Sequence, residues 1–162
     1  MRRKAPVRLG QLSDAPVLAE FNRAMARETE GKDLPLDRIR AGVETLLKNP
    51  NLGFYVVATR EGKIAGSLMV TTEWSDWRNG AFWWIQSVYV RPELRRRGIF
   101  RDLYAFVKSC AANEPDVCGY RLYVERDNTG ARKTYETLGM RETPYRMYEE
   151  LSDGGSSSEP SR

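Results

Sequence analysis

Ser87–Leu103, S-V-Y-V-R-P-E-L-R-R-R-G-I-F-R-D-L, is the stretch on which the reading of this chain turns. A β-rich run ends at Arg91-Pro92, three arginines and one glycine make a turn, and an amphipathic helix follows. That layout directs backbone N–H groups and guanidinium charge into one small volume, which suits a bound phosphate or pyrophosphate. On its C-terminal side, Ile99, Leu103, Phe106, Val107 and Cys110 form the buried stripe of the helix. On its N-terminal side, Ala81–Val90 reads as a strand rich in aromatic and branched residues.

Further out, Val7–Leu9 is a short first strand. Ser13 or Asp14 can cap a helix with Val17, Leu18, Phe21 and Met25 on one face. The acidic segment Arg27–Leu34 reads as a mobile loop. A second helix follows Pro35, with Leu36, Ile39, Val43, Leu46 and Leu47 at helical spacing, and stops before Asn49-Pro50. Phe54–Thr59 and Ile64–Thr72 form a hairpin around Glu61-Gly62, and Tyr120–Glu125 is a later strand. Asp127-Asn128 can cap a short helix bearing Ala131, Tyr135 and Leu138, closed by Gly139. Pro144–Glu149 is the expected last strand. Strands with helices inserted singly predict an α/β fold around a mixed sheet.

At 162 residues the chain can bury roughly 70% of its unfolded surface in one domain, expected over residues 6–151. Residues 1–5 are expected to fray, and the tail 152–162, which lacks apolar side chains, to be disordered. No apolar run approaches the ~20 residues of a membrane span. The basic start Met1–Lys4 has no apolar stretch after it, so no secretory signal is read, and a soluble cytoplasmic protein is the expectation. Cys110 and Cys118 read as small buried residues. With two cysteines and no histidine, no metal site is expected, and the commonest general base is missing. The net charge of +4 gathers at Arg91, Arg95, Arg96, Arg97 and Arg101, as a solvated face or a phosphate cradle. Nucleic acid is not the expected partner, because no second basic stripe accompanies the cluster.

The order of elements and three motifs resemble the GCN5-related N-acetyltransferase (GNAT) superfamily, from about Val7 to Glu150. The first motif is Val90-Arg91-Pro92 followed by Arg95-Arg96-Arg97-Gly98-Ile99-Phe100, matching Q/R-x-x-G-x-G/A. The second is Asn128, Ala131, Tyr135, Leu138, Gly139 and Met140, and the third is the strand Trp84–Val90. One departure stands out: Phe100 occupies a place normally held by glycine or alanine. It either crowds a pyrophosphate or packs inward.

The resemblance implies a sheet splayed between its fourth and fifth core strands, with acetyl-CoA in the opening. The pantetheine arm would pair with backbone at Val88, Tyr89 and Val90. Amides of Arg96, Arg97, Gly98, Ile99, Phe100 and Arg101 would hold the pyrophosphate, with charge added by Arg95, Arg96 and Arg101. An N–H near Val88 would stabilise the oxyanion as an amine attacks the thioester directly. Tyr135 would protonate the departing thiolate, and Asn128 would cap its helix, contact pantetheine, or both.

The base is less legible. Gln86 stands where some polyamine-acetylating relatives have glutamate. Glu73 is the first alternative, followed by Asp76, Glu28 and Glu30, with a water chain as another route. The acceptor pocket is expected between the first two helices and the segment Glu73–Arg78. There Trp74, Trp77 and Asp76 either pack as core and dimer surface or form an aromatic and acidic wall for a cationic amine. The leading expectation is an acetyl-CoA-dependent N-acetyltransferase for a small amine, such as a polyamine, an amino acid derivative or an amine antibiotic. Its rivals are a protein N-terminal or lysine acetyltransferase and a non-catalytic acyl-CoA-binding module. A homodimer is compatible with the apolar Trp74–Trp84 region.

Overall fold

The apolar run Tyr55–Ala58 is buried on both sides, as a strand covered by layers on both faces must be. In the computed structural model, which describes residues 3–152, it lies inside a five-stranded sheet. The strands are β1 (Val7–Leu9), β2 (Phe54–Arg60), β3 (Lys63–Ser75), β4 (Gly80–Val90) and β5 (Val117–Arg121), ordered as they are numbered. The helices are α1 (Ala15–Glu30), α2 (Leu36–Lys48), α3 (Ile99–Ala111) and α4 (Thr129–Thr137). This is the mixed α/β architecture that the sequence predicts.

Strand alternation sorts the core into two clusters. Val56, Ala58, Leu68, Val70, Trp83 and Ile85 meet Ile99, Leu103 and Val107 of α3 on one face. Tyr55, Val57 and Met69 meet Leu18, Val43 and Leu46 of α1 and α2 on the other.

All neighbouring strands are antiparallel except β4 and β5, which run parallel. Their pairing covers only Ala81–Trp84 of β4. The expected strand Tyr120–Glu125 is shifted: β5 ends at Arg121, and residues 122–125 leave the sheet. On the other side of β4, Ser67 pairs with Tyr89 and Met69 with Gln86. Two β4 residues therefore stand opposite Leu68, a bulge, and Ser87 takes a left-handed φ of 50° to make it.

Several expectations need correcting. Arg27–Glu30 are the last turn of α1, not a loop. Gly31, at φ 63°, donates to Arg27 O, and Lys32 donates to Ala26 O, the paired bonds of a glycine-terminated helix. Asp14 does not cap α1 with its side chain. Its buried carboxylate instead accepts from Arg8 (2.7 and 2.9 Å) and from Gln11 N (2.8 Å), and the Arg8 guanidinium holds its pKa down. The strand expected at Pro144–Glu149 does not form; residues 141–152 are exposed and belong to no strand. Cys118 is exposed because β5 is an edge strand, while Cys110 is half-buried. The tail for which disorder is expected falls, apart from Ser152, outside the described residues.

Nor is the start of the chain frayed throughout. Arg3 O accepts from Arg60 (2.7 Å), and buried Ala5 donates its N–H to Asp102 Oδ2 (2.9 Å) in the first turn of α3. Asp102→Ala removes a buried acceptor, which costs about 1–3 kcal/mol. For a domain of this size the melting temperature should fall by roughly 2–12 °C, measurable by calorimetry.

Candidate active site

Where β4 outruns its parallel partner, its backbone at Ile85–Val90 faces residues 122–125 across an opening. The result is a cleft of about 830 Å³. Its floor is Gln86, Ser87, Val88, Tyr89 and Val90, and its far wall includes Asn128, Ala131 and Tyr135 of α4. The Ser87 hydroxyl oxygen is buried with no hydrogen-bond partner among the described residues, as a protein polar group is when a ligand completes it.

Next to the cleft lies a recess of about 350 Å³ at the start of α3. It is lined by Arg95, Arg96, Gly98, Ile99, Phe100 and Arg101, with Thr134 and Leu138 opposite. Left-handed φ at Arg96 (61°) and Gly98 (78°) curl the arginine turn into the helix. Asp102 N makes the first helical bond, to Gly98 O (3.1 Å). Amides before it have no intrahelical acceptor, and the helix dipole adds positive potential. Together these make an anion cradle.

The arginines divide by role. Arg91 donates to Ile64 O (2.7 Å) and lies over the Phe21 ring, so it braces the fold. Arg95 donates to Val90 O (2.9 Å) and to Glu28 Oε2 (2.6 Å). Glu28 also accepts from the Tyr89 hydroxyl (3.0 Å), whose pKa is raised by burial first and by Glu28 second. Arg96 and Arg101 are exposed at the recess, and Arg97 is exposed without lining it.

Phe100 packs inward. It stacks on Tyr104 (centroids 6.0 Å apart) and meets Tyr135 edge-on (5.2 Å). This places Tyr135 half-buried on the cleft wall, its hydroxyl unbonded among the described residues. Burial pushes its phenol up from 10.0, so it keeps its proton across the neutral range. Asn128 Oδ1 accepts from Ala131 N (3.1 Å) and starts α4.

Residues 18–140 match the model of the Acetyltransferase (GNAT) family. A possible acetyltransferase from Clostridium difficile 630 shares 44% identity over 93% of this chain and 99% of its own, with a TM-score of 0.83.

The chain belongs to the GNAT acetyltransferase family.

It is therefore an acyltransferase, and the family's acyl donor is acetyl-CoA. A predicted acetyltransferase from Clostridium acetobutylicum, crystallised with acetyl-CoA, shares the fold at 18% identity and a TM-score of 0.74, over 90% of this chain and 96% of its own. So does a ribosomal-protein-alanine N-acetyltransferase from Brucella melitensis biovar Abortus 2308, at 20% identity and a TM-score of 0.72, over 91% and 99%. No curated protein matches the chain. The residues present fit such a donor: an orphaned hydroxyl, an unpaired strand and an anion cradle adjoin one another.

Not every expected residue reaches this acetyltransferase's cleft. Glu28, Glu30 and Gln86 line it, with Gln86 donating to Thr71 Oγ1 (2.6 Å). Glu73, Trp74, Asp76 and Trp77 do not. Glu73 is ion-paired with Arg121, which lies over Phe82, so a candidate base is already tied to a cation. Trp74 and Trp77 sit near the β3–β4 hairpin turn, 60% and 86% exposed, and Asp76 accepts from Trp77 N. Residues near in sequence to the central strands are carried away from the cleft by the length of that hairpin. Conversely, Tyr55, Tyr123 and Glu125 line the cleft and were not anticipated; only strand alternation could have placed Tyr55 there. Among the described residues no cluster could hold a metal, and no helix is long and apolar enough to cross a membrane.

Asn128→Ala removes the cap of α4, which costs about 1 kcal/mol. Its urea midpoint should fall with the slope unchanged.

Proposed function

We propose that this enzyme acetylates the primary amine of a small cationic molecule, with Tyr135 as the general acid. The observation that carries this reading is the position of Tyr135: a protonated phenol on the wall of the same cleft whose floor is the unpaired end of β4. The amides of residues 96–101 bind the donor's pyrophosphate at the start of α3. Backbone at Val88–Val90 aligns the pantetheine arm as an added strand. The N–H beside the Ser87 bulge stabilises charge on the thioester oxygen. The acceptor nitrogen bonds to the acyl carbon to give a tetrahedral intermediate. As the C–S bond breaks, Tyr135 gives its proton to the leaving sulfur, and the proton that the acylated nitrogen sheds restores the phenol.

Support for a small cationic acceptor comes from the other end of the cleft. Thr29, Glu30 and Leu34 wall it from α1 and the following segment, Ile39 and Val43 from α2, and Tyr55 and Tyr123 add rings. Glu30, 3.6 Å from Lys32, and Glu125, which accepts from Asp127 N (2.9 Å), add carboxylates to the cleft lining, and Glu28 is occupied by Arg95. The proton of the incoming ammonium drains through water: Gln86 cannot accept it as a base, Glu73 and Asp76 stand outside the cleft, and Glu28 and Glu30 are paired with Arg95 and Lys32.

Thermal unfolding with acetyl-CoA tests the donor. At 100 times its dissociation constant it should add about 2.7 kcal/mol, or roughly 5–10 °C. ATP at equal concentration should not reproduce the shift; equal shifts would reduce the site to a generic phosphate cradle. Thiol release with a panel of small diamines and peptides then tests the acceptor, and turnover confined to peptides would overturn that part.

Tyr135→Phe should lower kcat by about 100-fold or more while leaving KM for acetyl-CoA nearly unchanged. Because burial raises this phenol, the wild-type loss of kcat from its ionisation should lie above pH 10.0 and be absent from the variant. An unchanged kcat in the variant would remove Tyr135 from the mechanism.

A further inference from the structure

At the end of the cleft away from the anion cradle, three strands contribute one side chain each to a row. Tyr55 of β2 stands opposite Met69 of β3, and Met69 opposite Gln86 of β4, so all three share a face of the sheet. Tyr55 and Met69 belong to the cluster under α1 and α2, where Val43 and Ile39 of α2 meet them. All five residues line the cleft.

The polar groups around this row are nearly all engaged. Both carboxylate oxygens of Glu28 are taken, one by Arg95 (2.6 Å) and one by Tyr89 (3.0 Å). Glu30 lies 3.6 Å from Lys32, and Glu125 Oε2 accepts from Asp127 N (2.9 Å). The Thr29 hydroxyl donates to Met25 O (2.8 Å). Gln86 is different. Its Nε2 donates to Thr71 Oγ1 (2.6 Å), and no described residue donates to its carbonyl oxygen. It directly precedes Ser87, at the bulge whose neighbouring N–H meets the thioester in the mechanism above.

Resting on that mechanism, we infer that the acceptor is a primary monoamine on an apolar body, an alkyl or arylalkyl amine. Gln86 Oε1 holds its nitrogen beside the acyl carbon, and its body lies on Tyr55 and Met69 against Ile39 and Val43. Small-molecule sites are built this way, from an apolar lining with a few polar groups that fix orientation. A second ammonium, as in a diamine or polyamine, would enter the row with every nearby carboxylate already held. A buried charge without a partner is strongly disfavoured.

The test compares thiol release from acetyl-CoA with hexylamine, phenethylamine, hexamethylenediamine and a peptide beginning with alanine. The diamine differs from hexylamine by one terminal ammonium, so this pair isolates the second charge. kcat/KM for hexylamine should exceed that for the diamine by about 100-fold or more, and phenethylamine should also turn over. An equal or faster diamine overturns the inference and leaves acetylation of a small amine standing. Turnover of the peptide alone, or of none of the four, overturns both.

Two variants, each checked for folding by its thermal shift with acetyl-CoA, place the amine. Gln86→Leu should raise KM for hexylamine about 10-fold or more and leave KM for acetyl-CoA nearly unchanged. Ile39→Glu, at a half-buried position, adds an unclaimed carboxylate to the row. It should narrow the gap between hexylamine and the diamine about 10-fold. An unchanged KM in the first, or an unchanged gap in the second, removes the amine from this row.

Discussion

Past Trp84 the last two strands of the sheet have no hydrogen bonds left to share. A buried backbone group without a partner costs about 1–3 kcal/mol, so a sheet cannot open in its interior without something to fill or line the gap. The other features of the site follow from that break. β5 must turn away at Arg121, which makes the far wall. β4 must run on alone to Val90, which makes the floor. The chain then re-enters order through the arginine turn, whose free amides open beside the same gap. Gly66 lets this happen tightly: a Cβ there would lie 2.9 Å from Tyr89 O and 3.0 Å from Ile99 Cγ2. β3 thus sits directly against the end of the floor and the beginning of the cradle.

The arginines are a second lesson in how one side-chain type serves several ends. Arg91 and Arg95 both reach back to strand carbonyls, and their guanidinium planes lie over aromatic rings. Glu28 joins the last turn of α1 to the arginine turn through Arg95, and to the floor strand through Tyr89. Half-exposed ion pairs contribute little to overall stability. This one matters by position, since it spans the α1 wall, the floor and the cradle in two contacts.

What the sequence discloses here is what repeats at short range. The α3 stripe, the Asn128 cap and Gly139 beyond α4 are signals spread over a dozen residues, and each is found where its period or cap places it. The motif pair around Gly98 and Tyr135 revealed the family because both parts keep local context. The end of α1 was legible too, in Gly31, but the acidic run before it looked like a loop. The Ser87 bulge carries no such mark, because a serine at positive φ is imposed by the strands around it. Pairings such as Glu28 with Arg95 or Glu73 with Arg121 join residues far apart in the chain, and no periodicity encodes them. The tryptophans misled for a related reason. Their density suggested a wall, whereas a long hairpin delivers two of them to its tip.

The sheet separates the molecule into two cores that share only their strands. On one face α3 is packed, and with it the cradle, Phe100 and the helix of Tyr135; on the other are α1 and α2, which wall the cleft at the end away from the cradle. Changes in side chains more than about 7–10 Å apart with no common neighbour act almost independently. Substitutions among the α1 and α2 residues other than Glu28 can therefore reshape one end of the cleft while the anion cradle at the other end is undisturbed. The fold is in this sense a fixed handle with an exchangeable bit. A lineage, or a designer, can alter what one end of the cleft admits without rebuilding the other.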